Sequence, residues 1–257
     1  MTDRPPTVDW LDEGAATPLP ELFDRHYLAF WEAELGADRS VREHELVMRL
    51  GGLRAGHRVL DVACGYGRMS IPLAAVGVEV TGLDLSEQLL DEARSRASSA
   101  GVSPRFLAGD MRDLSGFTGF DSVLLWFTSF GYFDDETNAR VLREARNCLA
   151  PGGRLLMETR HWDRMQRRFD PVTVRSAGDD LLIEHHTYEA ATGIQWTRQT
   201  LVVDGTHHRR VSSVRRYGFP ELAALCRAAG FRSVEGFDES GEPLGPDSDR
   251  CVVVAVR

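Results

Sequence analysis

One segment, VLDVACGYGRMS at residues 59–70, constrains the fold more than any other part of the chain. An apolar run typical of a buried strand leads directly into a Gly-x-Gly turn and then into a helical pattern. Gly65 and Gly67 permit backbone angles that other residues disfavour, and they let a ligand approach the main chain closely. Dinucleotide-binding folds also begin with a strand, a glycine turn and a helix, so this segment alone leaves the ligand open.

From about residue 58 onward, short β-rich runs alternate with helical patterns, which predicts a parallel sheet with crossover helices. The strand-like runs are HRVLDVA, VEVTGLD, RFLAGD, FDSVLLWF and RLLMETR. Between the second and third runs, Ser86 is suited to begin a helix and Gly101 to end it. Two final strands are predicted at residues 233–237 and 251–256. The short loop between them favours a hairpin, so the last strand should run antiparallel to its neighbours.

Two regions do not follow this alternation. Residues 162–217 alternate polar with β-branched residues and carry turn signals at Thr192-Gly193 and Asp204-Gly205, which predicts an antiparallel insertion of about three strands. The chain before residue 54 has amphipathic helical patterns. We therefore expect a helical cover at residues 1–53, a core at residues 54–160 and 218–257, and an antiparallel β insertion at residues 161–217 that forms part of a substrate lid.

Charge and hydropathy exclude several classes of partner. The chain has 30 Lys and Arg against 39 Asp and Glu, a net charge of -9, which disfavours a nucleic-acid substrate because such proteins bind phosphates through basic surfaces. The longest apolar run is too short to span a bilayer, and the N-terminus lacks the pattern of a secretory signal. We expect a cytoplasmic monomer or homodimer that binds a small molecule and neither nucleic acid nor membrane.

The acidic residues near the strand ends indicate the kind of ligand. Asp61 precedes Gly65 by four residues, where a negative charge would repel a pyrophosphate but attract a cation. Ser70 occupies the position of the third glycine in the dinucleotide fingerprint. Asp84 ends the second strand, where it could accept hydrogen bonds from ribose hydroxyls, although NAD sites also use an acid there. Asp110 ends the third strand and could accept a bond from an adenine amino group.

The segments VLDVACGYGR, GLDLS, FLAGDMRDL, FDSVLLWFTSFGYF and LAPGGRLLMETR, in this order and spacing, resemble the successive motifs of class I S-adenosylmethionine-dependent methyltransferases. The resemblance covers about residues 58–160. It implies a Rossmann-like α/β fold with a seven-stranded, mostly parallel sheet whose last strand is antiparallel, and S-adenosylmethionine as cofactor with S-adenosylhomocysteine as product. The cofactor-binding residues that it implies are Asp61, Ala63, Gly65, Gly67, Arg68, Asp84, Leu85, Asp110, Met111, Trp126 and Phe127.

Within that superfamily, the TSFGYF segment, the β-rich insertion and the Tyr-containing N-terminal helix resemble small-molecule methyltransferases, including those that N-methylate amino acids, amino sugars and antibiotic precursors. In open α/β sheets, ligands bind where the strand order reverses, here between the first and fourth strands. Aromatic residues that follow the fourth strand could shield a sulfonium from water. Tyr132 among them, His161 after the fifth strand and Tyr27 on the N-terminal helix are the candidate catalytic residues.

Methyl transfer from a sulfonium is an in-line displacement, so catalysis can depend on alignment and exclusion of water. The sequence has no convincing metal-binding pattern, and we expect no metal. The resemblance to N-methyltransferases and the absence of a convincing base or metal favour an amine nitrogen as acceptor, since an amine only has to bind uncharged, whereas a hydroxyl benefits from a base. O- or C-methylation, an NAD-dependent oxidoreductase and a non-catalytic cofactor-binding protein remain the alternatives.

Arginines flank the predicted insertion in this acidic chain. They are Arg164, Arg167, Arg168, Arg209, Arg210, Arg215 and Arg216. A solvated face is the simplest interpretation of such a group. The alternative hypothesis is that one of them pairs with a carboxylate of the substrate.

Overall fold

Eleven strands in two sheets form the framework of the computed structural model, which describes residues 16–257 apart from the side chains of residues 33 and 34. The first 15 residues of the predicted helical cover lie outside the described residues. In chain order the strands are β1 Arg58–Val62, β2 Glu79–Asp84, β3 Arg105–Ala108, β4 Phe120–Leu125, β5 Leu149–Arg160, β6 Val172–Ala177, β7 Asp180–Glu189, β8 Ile194–Val203, β9 Thr206–Arg215, β10 Ser233–Phe237 and β11 Arg250–Val256.

The central sheet has seven strands in the order β10-β11-β5-β4-β1-β2-β3. Strands β1 to β5 pair in parallel, whereas β11 runs antiparallel to both β5 and β10. This is the predicted Rossmann-like class with an antiparallel last strand. The strand order reverses between β1 and β4, so the carboxyl ends of these two strands border the crevice in which such sheets bind ligands.

Helices cover both faces of the central sheet, which is why its inner strands are apolar along their length. They are α1 Leu19–Leu22, α2 Arg25–Leu35, α3 Ala37–Gly51, α4 Ser70–Ala75, α5 Glu87–Ser99, α6 Asp135–Cys148, α7 Trp162–Arg167 and α8 Phe219–Ala228. Leu60 on β1 and Val123 on β4 are fully buried beneath α6 and α8, and Val59 is buried beneath α3 and α4. As predicted, Ser86 begins α5, and its hydroxyl accepts a hydrogen bond from the Leu89 amide.

The second sheet is antiparallel in the order β6-β7-β8-β9, so the insertion has four strands rather than about three. The sequence interpretation missed β6. None of its residues is buried at the sheet edge, and Val174 is 61% accessible, so it lacks the buried apolar face that marks a strand in a sequence. Gly178 and Asp179 form the turn that separates β6 from β7.

Backbone contacts fix the second sheet and the N-terminal helices to the core. The amide of Arg215, at the end of β9, donates to the carbonyl of Gly131 in the loop after β4, at 2.8 Å. Gly131 has φ +106°, and a Cβ there would lie 2.5 Å from the Arg215 carbonyl oxygen, so only glycine permits this approach. Upstream of α1, the Thr17 amide donates to the carbonyl of Val211 on β9. Within residues 16–257, no helix is long and apolar enough to cross a membrane.

Candidate active site

A cavity of about 130 Å³ lies at the carboxyl ends of β1, β2 and β4, beneath the N-terminal helices. We call it the inner cavity. Most of the predicted cofactor-binding residues line it, namely Asp61, Ala63, Gly65, Arg68, Asp84, Leu85, Met111, Trp126 and Phe127. Tyr27 and Tyr132, predicted as catalytic residues, line it as well. The structure therefore brings together residues from five separate segments of the chain.

Two predicted cofactor-binding residues do not line the inner cavity. Gly67 faces the protein interior, where a Cβ would lie 3.0 Å from the Phe106 ring and 3.1 Å from Ile71. Its role is to let α4 pack closely against the sheet at a φ of +81°. Asp110 is bound by the guanidinium of Arg112, two residues along the chain, which holds its carboxylate at the partly exposed rim.

Asp61 is a buried carboxylate at the end of β1. It accepts a hydrogen bond of 2.6 Å from the hydroxyl of Ser70, the first residue of α4. Burial raises the pKa of Asp61 to about 6, since the bond from Ser70 and the charge of Arg68 offset only part of the lost hydration. At neutral pH this position is a carboxylate in a site of low polarity, and it would bind a cationic group strongly.

Asp84 holds the glycine turn as well as lining the cavity. One carboxylate oxygen accepts from the Gly65 amide at 2.7 Å and the other from the Ser86 amide at 2.9 Å. Burial raises the pKa of Asp84, although the two amide bonds oppose the effect. A carboxylate has about four acceptor positions, so Asp84 retains the capacity to accept two hydroxyl bonds from a ribose.

Backbone strain is concentrated at the cavity. Ala63, directly after β1, has φ +57°, while Phe127 and Thr128, after β4, both have φ +58°. Left-handed backbone is unfavourable for residues with a Cβ and persists where surrounding bonds enforce it. The Thr128 amide donates to the carbonyl of Glu158, and its hydroxyl accepts a bond from Arg250. The strained positions lie at the two strand ends where the strand order reverses, which indicates a functional site.

Glu43 on α3 is part of the site and was missed by the sequence interpretation. This buried carboxylate accepts bonds from Arg39 at 2.6 Å, from Arg68 at 2.7 Å and from the Trp126 indole at 2.7 Å. Burial would raise the pKa of Glu43, but Arg68 and Arg39 outweigh it and lower the pKa. Glu43 thereby fixes the two lining side chains Arg68 and Trp126. The Arg39–Glu43 pair at i,i+4 spacing is the one part of this network that a sequence pattern shows.

Five aromatic rings form a wall on one side of the inner cavity. Phe23 contacts Tyr27 and Tyr132 edge to face, with centroids 5.1 and 5.5 Å apart. The series continues from Tyr27 to Trp31 and from Trp31 to Phe127, with centroid separations of 6.0 Å in each case. Burial raises the pKa of both Tyr27 and Tyr132, so their hydroxyls stay protonated at neutral pH. The aromatic wall thus joins the N-terminal helices to the loop after β4.

A second cavity, of about 670 Å³, lies on the other side of the aromatic wall, and we call it the outer cavity. Phe23, Tyr27, Phe127, Thr128 and Tyr132 line both cavities. Residues of α3, one face of the second sheet, α7 with the segment after it, and the segment before β11 complete its lining. The volume is within the range typical of sites for small molecules.

His161, predicted as a catalytic residue, lines the outer cavity and not the inner one. Its ring is buried, and its Nδ1 lies 3.0 Å from the carbonyl oxygen of Ser248. A carbonyl only accepts, so Nδ1 carries the proton in this contact and Nε2 is left as an acceptor. Nε2 lies 3.7 Å from the carboxylate of Asp163.

A polar network on β7 and β8 also faces the outer cavity and was not identified from the sequence. His186 contacts Thr197 and Gln195 through Nδ1, at 3.0 and 3.2 Å, and Thr173 through Nε2. Burial lowers the pKa of His186, which keeps the imidazole neutral at neutral pH. His185 and His186 are neighbours on β7, so their side chains point to opposite faces of the sheet. That alternation is what directs His186 toward the cavity.

Comparison with known proteins agrees with this geometry. Residues 59–153 match the family described as "Methyltransferase domain". The chain is 37% identical to demethylmenaquinone methyltransferase of Deinococcus radiodurans over 162 residues, which cover 60% of this chain and 64% of that protein. The chain thus spans less than two thirds of the length of that relative, and about half of others.

Solved structures share the fold over most of the chain. The CcbJ methyltransferase of Streptomyces caelestis aligns with a TM-score of 0.73 at 23% identity, covering 84% of this chain and 88% of that one. CalS10, an amino pentose methyltransferase from Micromonospora echinaspora, whose structure has S-adenosylmethionine bound, aligns with a TM-score of 0.64 at 22% identity, covering 86% and 90%. The sheet and the cavity at its switch point define a Rossmann-like methyltransferase fold. Residues 59–153 therefore carry a methyltransferase domain, and the structural likeness extends the shared fold to most of the chain.

Proposed function

We propose that this protein transfers a methyl group from S-adenosylmethionine to a small molecule bound in the outer cavity, and that the accepting atom is an amine nitrogen. The observation that carries the proposal is the aromatic wall shared by the two cavities. The inner cavity presents acids suited to a cationic, ribose-containing cofactor. The outer cavity has room for an acceptor directly across the wall.

The residues of the inner cavity fit the cofactor group by group. Asp84 has acceptor positions left for the two ribose hydroxyls after bonding Gly65 and Ser86. Asp61 supplies a buried negative charge for the cationic end. Leu85 and Met111 line the cavity and offer apolar contact for the adenine. Since Arg112 holds Asp110 outside the lining, the proposal gives Asp110 no direct contact with the cofactor.

The bound cofactor supplies a methyl group on a sulfonium, which is an excellent leaving group. The chain therefore has to align the acceptor and exclude water. Phe127, Tyr27 and Tyr132 line both cavities, and their aromatic faces would attract a cation and keep water out. Both tyrosines stay protonated, so they position the acceptor through hydroxyl hydrogen bonds and do not act as tyrosinate bases. An amine that binds uncharged needs nothing more.

A hydroxyl acceptor is the second candidate, and His161 is the observation that favours it. With Nδ1 bonded to the Ser248 carbonyl, Nε2 can accept a proton at the edge of the outer cavity. If the acceptor is a hydroxyl, His161→Gln should lower kcat strongly. If the acceptor is an amine, the same variant should retain most of the wild-type kcat.

The cofactor assignment is tested by calorimetric titration with S-adenosylhomocysteine, which requires no knowledge of the acceptor. We expect micromolar binding by the wild type and binding about 10- to 100-fold weaker by Asp84→Asn, because one acceptor of the ribose hydroxyls is lost. Asp110→Asn is the matched control, being an acid at the end of the neighbouring strand, and it should bind like the wild type. A folded wild type that binds NADH but not S-adenosylhomocysteine would show the proposal to be wrong.

Methyl transfer is then measured with labelled S-adenosylmethionine against matched amines and alcohols. We expect label to be incorporated into amines. Exclusive labelling of hydroxyl or carbon acceptors would contradict the nitrogen assignment while leaving the cofactor assignment intact.

A further inference from the structure

The outer cavity is cationic, although the chain as a whole is acidic. Eight arginines but only five carboxylates line it among the described residues, whereas the net charge of the chain is -9. The carboxylates are already engaged. Glu184 accepts bonds from Arg175 and Gln199, Asp249 pairs with Arg164, and Glu43 is held by Arg39 and Arg68.

Ion pairs hold four of the seven arginines that flank the insertion, including Arg167, which lies 3.9 Å from Asp247. Arg210 forms two bonds with the carboxylate of Asp24. Arg215 lies within ion-pair distance of Asp135 and Glu221, at 3.2 and 3.0 Å. Arg164 pairs with Asp249. These side chains therefore have structural partners of opposite charge.

Arg216 differs from these arginines in its hydrogen-bond partners. It follows β9, lines the outer cavity, and donates from Nε to the side-chain oxygen of Gln195 at 3.0 Å. Its Nη1 is buried without a hydrogen-bond partner, and no carboxylate among the side chains that the structure describes forms an ion pair with it. The charge of Arg160 lies close enough to oppose it, as does that of Arg250, which is itself paired with Glu158. A buried guanidinium with an unused donor and like charges nearby is costly unless an anion binds there.

Burial lowers the pKa of Arg216 to about 10, and the neighbouring arginines contribute to the shift. The guanidinium nevertheless remains charged at neutral pH. Gln195 fixes the plane of the guanidinium, because it holds Nε from one side. The bond from the Arg215 amide to Gly131 places the end of β9 beside the loop that carries Tyr132, which also faces the outer cavity.

We propose that Arg216 binds a carboxylate of the methyl acceptor, so that the substrate is a carboxylate-bearing small molecule whose accepting atom lies toward Tyr132. The planar guanidinium matches a carboxylate in geometry and supplies the charge-assisted bonds that its buried Nη group lacks. The inference rests on the proposed methyl transfer for the identity of the ligand. The presence of an anion site at Arg216 is separately measurable.

The anion site is tested by thermal unfolding with propionate and with propionamide, its neutral counterpart, at constant ionic strength. We expect propionate, and not propionamide, to raise the unfolding midpoint of the wild type by about 2–4 °C at concentrations well above its dissociation constant. Arg216→Gln should lose this response and should unfold no earlier than the wild type without ligand, since it removes an unpaired buried charge. A merely structural arginine would instead lower the midpoint when replaced.

Arg215→Gln is the matched control, because it removes the adjacent arginine, which does not line the outer cavity. It should keep the propionate response. Inorganic phosphate is tested in parallel. A response to phosphate without one to propionate would assign a phosphorylated ligand and overturn the carboxylate proposal, as would no response to either anion in folded protein.

The substrate consequence is tested by methyl transfer to amino acids and to their methyl esters. We expect the wild type to prefer the acids, and Arg216→Gln to raise KM for the acid about 10- to 100-fold with a smaller change in kcat and none for the ester. Equal use of acid and ester by the wild type would contradict the proposal. Failure to bind S-adenosylhomocysteine would contradict the proposed function, while the propionate response would still report on the anion site.

Discussion

Asp61 combines a buried negative charge with a neutral hydrogen-bond partner, Ser70. Because burial raises its pKa from 3.8 to about 6, the folded protein holds this proton more tightly than the unfolded chain does. Between about pH 4 and pH 6, raising the pH therefore ionises the unfolded state first and lowers the stability of the fold. Above pH 6 the loss of folding stability caused by the Asp61 charge is complete and no longer changes with pH. A cationic ligand bound beside Asp61 would offset it.

Asp61→Asn should consequently stabilise the fold and weaken the binding of ligands. We expect the variant to gain about 1–3 kcal/mol of stability above pH 6 and nothing below about pH 4, because the buried charge is absent. Its affinity for S-adenosylmethionine should fall by about tenfold or more at pH 8. Urea unfolding and calorimetry across pH 4–8 measure both effects. A variant less stable than the wild type at pH 8 would contradict the assignment of an unpaired buried charge.

The two glycines of the turn should respond differently to substitution. Gly67→Ala should lower stability by about 1–3 kcal/mol because its Cβ would press on Phe106 and Ile71. The Cβ added by Gly65→Ala would contact only Leu89, at 3.9 Å. The loss of stability should therefore be close to the cost of placing an alanine in left-handed backbone. Gly65 lines the inner cavity, so its substitution should weaken S-adenosylhomocysteine binding more than that of Gly67.

Gly101→Ala is the control for backbone strain, because Gly101 has φ +68° and a Cβ added there would meet no atom within 4 Å. Thermal unfolding and calorimetry of the three variants separate strain, packing and ligand contact. Equal stability losses at positions 65, 67 and 101 would show that a clash with Phe106 adds nothing to the loss at position 67.

The residues of the inner cavity could be predicted because they follow the strand ends in contiguous motifs. Side-chain direction could not be predicted equally well. Whether Gly67 faces a ligand or a ring depends on the packing of α4, and Asp110 is withdrawn by an arginine two residues away. Glu43 connects the two cavities through its contact with Trp126, 83 residues away, and Gln195 holds Arg216 from another strand. A single sequence contains no periodic signal for either contact.

At the scale of elements, one ion pair connects α2 to the second sheet. Asp24 caps the N-terminus of α2 by accepting from the His26 and Tyr27 amides, and it receives two bonds from Arg210 on β9. Both side chains are largely buried. The same residue therefore begins the helix and fixes the position of Phe23 and Tyr27 over the inner cavity.

Asp24→Ala should loosen the attachment of α2 to the second sheet. We expect a stability loss of about 1–2 kcal/mol from the missing cap and ion pair, and faster dissociation of S-adenosylhomocysteine because Tyr27 is no longer held in place. Asp24→Asn should retain the cap and show a smaller effect. Stopped-flow measurement of dissociation tests this, with the exposed Asp38→Ala as control. An unchanged dissociation rate in Asp24→Ala would mean that α2 does not limit release.

The element order of the core could be predicted because apolar runs and glycine or serine signals mark each strand and helix. The insertion was predicted less completely. Strands β7 to β9 have clear turn signals and alternate polar with apolar residues, but β6 lies at the exposed edge and buries little apolar area. Its pairing with β7 is a tertiary contact that residue patterns do not specify.

At the scale of the whole molecule, all four cysteines are buried and none forms a disulfide. Burial raises the pKa of Cys148, Cys226 and Cys251 to about 12, and that of Cys64 well above its usual range. Thiolates are the reactive form, so native protein should react slowly with thiol reagents, and its three core cysteines should react at the rate of global unfolding.

Cys64 should be the exception, because it lines the inner cavity. We expect it to react first and to be protected by S-adenosylhomocysteine, as measured by mass spectrometry of partly labelled protein. Cys64→Ala should abolish the protected phase. Labelling of Cys148 ahead of Cys64 would contradict the burial pattern.

The aromatic wall has a consequence for how the two ligands meet. Four of its rings face both cavities, namely those of Phe23, Tyr27, Phe127 and Tyr132. A ligand that orders these rings from one side therefore changes the surface that a ligand on the other side contacts. Such coupling is reciprocal: the factor by which one ligand tightens the other must be the same in both directions. If donor and acceptor bind on the two sides of these rings as proposed, the affinity of each ligand should therefore depend on whether the other is bound.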